Sequence, residues 1–426
     1  MRGGFEDHFL TNPLSSLIGD FGNPDSSDIQ ENNLSPSPAN FFLIPPELVN
    51  LIIGHCDLDE LRTSSLVCRG WRVLTIHTLF SKVSLSPTTA LAFVEFLRSK
   101  YGALVRGSVQ LLSLTSGSDF AHSSISDTTL EALSALLQPS HLKLTIHNNA
   151  GSKRVDGLFW WGRQSKDLSG FQRSFKTVTN LELNMFSDTF IEVAKMVSSF
   201  PILENLTISG VWLPADYEEE KDDEIPVSDQ IDQELPEKHI SLPCTLHTIR
   251  LPSLFPSSIF LHWLHSHENP PQISTLILRG IFTSSLDLTS TCLRTLGETL
   301  KNLTITGLMA QNVRHGELDL SRNTDLRTLA LHNPWTQSSE IAFRVLSQVT
   351  SSSLEEFELS AWDPRGDPKD MTYWPQLDSL LAEPQFSCLR RITINVNMAT
   401  RHAVEGRLPI MTSRGLVQFR NSMITY

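Results

Sequence analysis

The side chains best equipped for chemistry lie in HWLHSH, where His262, His265 and His267 offer three imidazoles within six residues. On a helix His262 and His265 share a face, whereas His267 points nearly opposite His262, and no second cluster with ligand spacing accompanies them. The pattern favours a half-exposed helix with Leu261 and Leu264 inward, and neither a metal nor a cofactor is expected. The five cysteines (Cys56, Cys68, Cys244, Cys292 and Cys388) are odd in number and widely spaced, which argues against a disulfide framework and for a reducing compartment. Cys56 and Cys68 fall at apolar positions and read as buried structural thiols. The chain contains no G-x-x-x-x-G-K-[ST], no G-x-G-x-x-G after a strand, no G-x-S-x-G and no H-E-x-x-H. No enzymatic activity is expected.

Two charged segments invite binding rather than catalysis. In GSKRVDGLFWWGRQSK, Phe159, Trp160 and Trp161 lie among Lys153, Arg154, Arg163 and Lys166. Such a group packs structurally in the ordinary case, but it also has the composition of a protein-binding hot spot or a base-stacking platform. Between Ala215 and Lys238 there are eleven Asp or Glu and two Lys, which is −9 of the chain's net −13. This run reads as a solvated loop, with recruitment of a basic partner as its functional alternative. A chain this acidic is a poor general binder of nucleic acid or of an anionic membrane, so neither is expected as a partner. No stretch approaches 18 uninterrupted apolar residues, and MRGGFEDHFLTNPLSSL lacks a basic segment followed by an apolar one. Without a secretory leader, a cytoplasmic and/or nuclear location is expected, and the Asn205 and Asn302 sequons carry no meaning for glycosylation.

The elements that position these groups begin at about residue 41. Residues 1–40 mix Gly, Asn, Pro and Ser without periodicity and read as a disordered tail. Forty per cent of the 426 residues are hydrophobic, enough for a sizeable core in the remainder. IPPELVNLIIGHC places Pro45 and Pro46 at a helix start, where a missing N–H costs little. Leu48, Leu51, Ile52 and Cys56 follow as one apolar stripe. Asp57 or Asp59 can cap a second helix carrying Leu61, and Leu66, Val67, Trp71 and Leu74 line a third. A unit this small seldom stands alone.

Ile44-Pro45-Pro46-Glu47-Leu48, then Ile52, then Leu61, then Leu66-Val67-Cys68-Arg69-Gly70-Trp71 resembles the F-box in order and spacing. Ile44 stands where the family has Leu, and Cys56 where Leu is common. The resemblance implies an F-box over 41–85 that docks on the Skp adaptor through Ile44, Pro45, Glu47, Leu48, Ile52, Leu61, Val67 and Trp71.

From about residue 100 the pattern apolar-x-x-apolar-x-apolar recurs: Val109-Leu112-Leu114, Val178-Leu181-Leu183, Leu203-Leu206-Ile208, Leu246-Ile249-Leu251, Ile273-Leu276-Leu278, Leu300-Leu303-Ile305, Leu326-Leu329-Leu331, Leu354-Phe357-Leu359 and Leu389-Ile392-Ile394. Starts from 178 onward differ by 25, 43, 27, 27, 26, 28 and 35, and the interval of 43 holds the acidic segment. A period near 26 lies in the leucine-rich-repeat range. The alternating part reads as a short strand, and IEVAKMVSSF and SIFLHWLHSH read as connecting helices. The expected fold class is α/β: a three-helix F-box, then a leucine-rich-repeat-like solenoid with a parallel sheet over 86–400, an acidic loop at 215–238, and a cap or tail over 401–426. The Asn or Cys that such repeats place three residues after the last strand Leu is replaced by Phe186, Val211, Leu254, Ile281, Leu308, Pro334 and Trp362, and only Asn397 fits. The turn must be satisfied otherwise.

Side chains between the inward positions face an open concave surface. Asn180, Glu182, Asn205, Thr207, Arg250, Asn302, Thr304, Glu356 and Glu358 are the candidate target contacts there, with Ala330 and Thr393 in the same rows. The combination resembles the large fungal F-box and leucine-rich-repeat families. It implies a substrate-recognition adaptor of a Skp–cullin–F-box ubiquitin ligase, with Skp, a cullin scaffold and an unidentified target as partners. The alternative is a repeat-based protein-binding scaffold with no part in ubiquitin transfer.

Overall fold

The computed structural model describes residues 46–66, 69–115, 125–145, 174–184, 190–209, 240–251, 257–267, 270–280, 286–308, 318–333, 338–361, 372–396 and 398–421. The tail at 1–40, the Phe159–Trp161 cluster, the acidic segment 215–238, and Ile44, Pro45, Val67, Cys68 and Asn397 lie outside the described residues. The chain divides into one compact unit ending at Ser84 and a second beginning at Leu85.

Among its described residues the first unit has three helices, α1 (Pro46–His55), α2 (Leu58–Ser64) and α3 (Arg69–Leu79). Pro46 opens α1, where its absent N–H would have had no helical partner. Asp57 caps α2: its Oδ1 accepts from the N–H groups of Asp59 at 3.0 Å and Glu60 at 2.9 Å. In return the Asp57 N–H donates to Glu60 Oε2 at 2.8 Å, completing a capping box. Val49, Ile53 and Leu61 form the core, with Cys56, Trp71, Leu74 and Leu79 packed on it. The single stripe expected on α1 is therefore split. Val49 and Ile53, four residues apart, turn inward with Cys56, while Leu48, Leu51 and Ile52 share the opposite side. Leu66 also departs from expectation: it sits in the turn after α2, where its N–H donates to the Thr63 carbonyl at 3.0 Å, and not on α3.

A 12-stranded sheet runs in strict sequence order. Its strands are β1 (Lys82–Leu85), β2 (Leu111–Thr115), β3 (His141–Thr145), β4 (Asn180–Asn184), β5 (Asn205–Ile208), β6 (Thr248–Leu251), β7 (Thr275–Arg279), β8 (Asn302–Thr306), β9 (Thr328–Asn333), β10 (Glu356–Ala361), β11 (Arg391–Val396) and β12 (Val417–Asn421). Neighbours pair in parallel, so each connection must cross back over one side of the sheet. Those crossings carry α4 (Pro87–Arg98), α5 (Gly102–Arg106), α6 (Asp127–Leu136), α7 (Phe190–Ser198), α8 (Ser257–His265), α9 (Leu286–Leu296), α10 (Ser338–Leu346), α11 (Trp374–Leu381), α12 (Met398–Glu405) and α13 (Pro409–Ser413). The result is an α/β solenoid-like fold that follows a helical N-terminal region in sequence. Among the described residues no helix is long and apolar enough to cross a membrane.

Register stacks like on like. Leu181, Leu206, Ile249, Leu276, Leu303, Leu329, Phe357 and Ile392 form one buried column, each opposite the next. Each fully buried side chain of this kind contributes about 2 kcal/mol, and only a stacked neighbour can bury it. The nine strands expected from the repeat pattern are β2 and β4 to β11. The pattern misses β3 because Pro139 takes its first apolar position, although Leu142 and Leu144 align with Leu181 and Leu183. Residues 401–426, expected as a cap or tail, contain β12, whose Phe419 pairs with Ile394 of β11. Asn205 of β5 pairs directly with Thr248 of β6, so the residues intervening between these strands leave the ladder uninterrupted.

Hydroxyls do part of the work of the missing asparagines, at the other end of the strand. Thr177, Thr245 and Thr299 each precede the first apolar residue of a repeat. They donate to the carbonyls of Pro139 at 3.2 Å, Leu203 at 2.8 Å and Ile273 at 3.4 Å, one repeat earlier. Ser351, fully buried, donates to the Leu326 carbonyl at 2.8 Å. Buried Asn323 spans two carbonyls, Leu293 and Gly297, both at 2.9 Å. Where β7 and β8 end, Gly307 has φ of 80°, and a Cβ there would lie 3.3 Å from Gly280 Cα, so the two turns stack only as glycines.

Two of the three histidines of α8 and its C-terminal turn bond to neighbouring groups of the fold. Leu261 and Leu264 are inward, as expected. His265 Nδ1 bonds the Thr295 hydroxyl at 2.9 Å. His267 Nε2 accepts from the Leu242 N–H at 3.1 Å, which leaves Nδ1–H to donate to the Trp263 carbonyl at 2.6 Å. Trp263 in turn packs edge-on against Phe190 and Phe260, with centroids at 5.4 and 5.6 Å. Replacing Ser351 with Ala leaves the buried Leu326 carbonyl without its hydroxyl donor and should lower unfolding free energy by about 1 kcal/mol, read as a lower urea midpoint at unchanged slope.

Candidate functional site

Two surfaces carry the candidate contacts, one on each unit. On the helical unit Leu48, Leu51, Ile52, Leu66 and Val73 are 43–76% exposed. A core of three fully buried residues leaves these five large apolar side chains in water, where burial of each against a partner would gain about 2 kcal/mol. Leu48, Leu51 and Ile52 lie within one helical turn of each other on α1. Glu47 lies in the first turn of the same helix.

Leu61, expected among the Skp contacts, is 5% exposed and packs with Val49 and Ile53 in the core of the three helices. Trp71 is half-buried against the same core, and its carbonyl accepts from Thr75 Oγ1 at 2.8 Å. Leu51, Leu66 and Val73 are exposed as well, without having been singled out as contacts. The signal available in sequence was the apolar character of α1 on both sides.

Residues 41–77 match the F-box domain. No curated protein matches the chain. The matched span takes in α1, α2 and most of α3, and the outward leucines lie on the F-box itself.

The second surface is the outward side of the sheet, where alternate strand residues form rows. Asn180, Glu182, Asn205, Thr207, Asn302, Thr304, Glu356 and Glu358 are half-buried there, and Arg250 is exposed. Ala330 and Thr393 share these rows but are buried. Each is a short side chain between longer ones: Ala330 pairs laterally with Glu358, and Thr393 with Glu358 and Gln418.

Many of these groups are committed to one another. Asn205 Nδ2 donates to Asn180 Oδ1 at 2.7 Å, and Asn180 Nδ2 donates to Thr179 Oγ1 at 2.9 Å. Asn302 Nδ2 donates to Thr275 Oγ1 at 3.1 Å. Lys143 Nζ meets Glu182 Oε1 at 2.6 Å. At the far end Arg391 donates to Glu356, and Asn395 Nδ2 donates to Glu358 Oε1 at 2.7 Å and Ser360 Oγ at 2.9 Å. The hydrogen bond that Arg391 donates to the Glu356 carboxylate raises its pKa above the usual value. His332 Nδ1 bonds Ser360 Oγ at 2.7 Å. Burial lowers the His332 pKa, with Glu358 opposing and Arg279 assisting. Burial also lowers that of His141, where Glu182 opposes and Lys143 assists.

Burial pushes the Cys292 thiol up to about 12, which keeps it neutral and inert. Among the described residues no group of three or more His, Cys, Asp or Glu is placed to hold a metal ion. The sheet face offers amides, hydroxyls and a few charges.

Both histidines hold folded-state pKa values below 6.5, so the unfolded chain binds more protons as pH falls past that value. Their contribution is fully present above pH 6.5 and declines as pH drops through the folded values. Thermal stability measured from pH 7.5 downward should therefore fall in this window, and His332→Gln should flatten the decline.

Proposed function

We propose that this chain is the substrate-recognition adaptor of a Skp–cullin–F-box ubiquitin ligase, an F-box–leucine-rich-repeat protein of the kind large in fungi. The F-box docks on Skp, and the solenoid holds a target protein. The observation that carries this reading is the outward apolar face of the F-box: Leu48, Leu51, Ile52, Leu66 and Val73 remain exposed although the unit has a core of its own.

The chain acts by proximity and makes or breaks no covalent bond. Tethering a target beside a ubiquitin-charged enzyme raises the effective concentration of its lysines, and a short tether reaches about the millimolar range. Stable docking requires the apolar F-box face to be buried, because hydrophobic burial is the non-directional term that grows with area. The half-buried polar rows of the sheet then set which target is held.

The test separates docking from folding. Leu48→Asp places a charge on the outward face of α1 and should abolish co-purification of Skp and cullin while leaving the melting curve close to wild type. Leu61→Ala, made in the core, should instead cost about 3 kcal/mol of F-box stability. Skp retained by Leu48→Asp would sink the proposed interface. Skp present without cullin would favour a scaffold that takes no part in ubiquitin transfer.

A further inference from the structure

The outward side of the sheet is not electrically uniform. Toward one end Lys143 is met by Glu182, and toward the other Glu356 is met by Arg391. Between them lie β6, β7, β8 and β9, and none of their residues is acidic. Their charged residues are Arg250 and Arg279, both exposed, and Lys301 and Arg327 sit immediately before β8 and β9, also exposed. Among the described residues no carboxylate forms an ion pair with any of these four. Arg250 and Arg279 stand on adjacent strands, Arg279 being two residues beyond Ile277, the partner of Arg250. Their Cα atoms are therefore diagonal neighbours, about 7–8 Å apart, within reach of one extended ligand. Thr304 and Thr306 of β8 continue the row with hydroxyls.

This window runs against the sign of the whole protein, whose net charge is −13. An acidic chain that keeps four strands free of carboxylates, while pairing the charges on either side, has an uncompensated positive field at one place on its recognition face. Guanidinium groups hold carboxylates with paired N–H donors, and Thr hydroxyls supply further donors. A nucleic acid would meet the same cations, but β6 to β9 contain no Phe, Tyr or Trp for base stacking, and the rest of the chain repels phosphates.

We infer that the outward face of β6 to β9 is a docking surface for an extended, Asp/Glu-rich polypeptide segment of the target, held by Arg250 and Arg279 with Lys301 and Arg327 at its margin. This deepens the adaptor reading and rests on it, since it names the chemistry of the target that the solenoid receives.

The experiment uses the full chain co-expressed with Skp. The probe is a fluorescein-labelled peptide of twelve residues alternating Glu and Ser, followed by fluorescence anisotropy. Wild type should bind it, with affinity falling steeply as salt rises. The double variant Arg250→Glu/Arg279→Glu should bind at least tenfold more weakly, and Arg250→Lys/Arg279→Lys should retain most of the affinity. Arg98→Glu/Arg322→Glu, a pair away from this face, should leave binding unchanged and controls for net charge. No binding by wild type, or equal binding by the Arg250/Arg279 charge reversal, overturns the inference. So does a single-stranded oligonucleotide that binds more tightly than the peptide. Skp co-purification is scored on the same samples. Skp retained without peptide binding removes this inference and leaves the adaptor reading standing, whereas loss of Skp from wild type removes the adaptor reading itself.

Discussion

The backbone ladder between parallel neighbours is the constraint on which everything else in the solenoid rests. Each strand is four to six residues long and would leave its N–H and C=O groups and one apolar side unsatisfied if it stood alone. Pairing settles both demands together, because the register that joins Leu206 to Ile249 also places Asn205 beside Thr248 on the other side. The inward column supplies the burial and the outward row supplies the surface. Neither can shift by one residue without exchanging the two.

The F-box obeys a different economy. Its core is too small to satisfy all its apolar side chains, so α1 is apolar on both sides and only one of them is used internally. The inward set fixes the angle between helices, and the capping box on Asp57 and Glu60 fixes where α2 begins. What remains outside is a face made by the same helix that makes the core. The core and the outward apolar face are thus both carried by α1, through different residues.

Much of this was legible in the sequence, and the failures share a cause. The period-two alternation of Leu246-Ile249-Leu251 and its counterparts identified nine strands, because a half-buried strand cannot hide its pattern. β3 escaped where Pro139 stood for the leading aliphatic residue, and β12 where the repeat spacing ran out. On α1 hydrophobicity could not decide which side was inward, since Leu48 and Val49 are equally apolar. The packing of Leu61 and Trp71 decides it, and that is tertiary information. The outward rows were placed correctly by parity, but their exposure was not, because Ala330 and Thr393 are covered by longer neighbours across the ladder. Pairing between those neighbours, such as Asn205 with Asn180, depends on register and is invisible along one strand.

The direct pairing of β5 with β6 has a consequence for how such a chain tolerates change. Forty-three residues separate Asn205 from Thr248, yet the strands meet as closely as those separated by 27. Closing a longer excursion between fixed ends costs little, about 0.6 kcal/mol for each doubling. Parallel strands also end on a common edge, so the C-terminal ends of β3, β5 and β7 share one rim. The ladder behaves as a rack of fixed pitch: the spacing of β5 and β6 is set by their pairing and not by the length of chain between them.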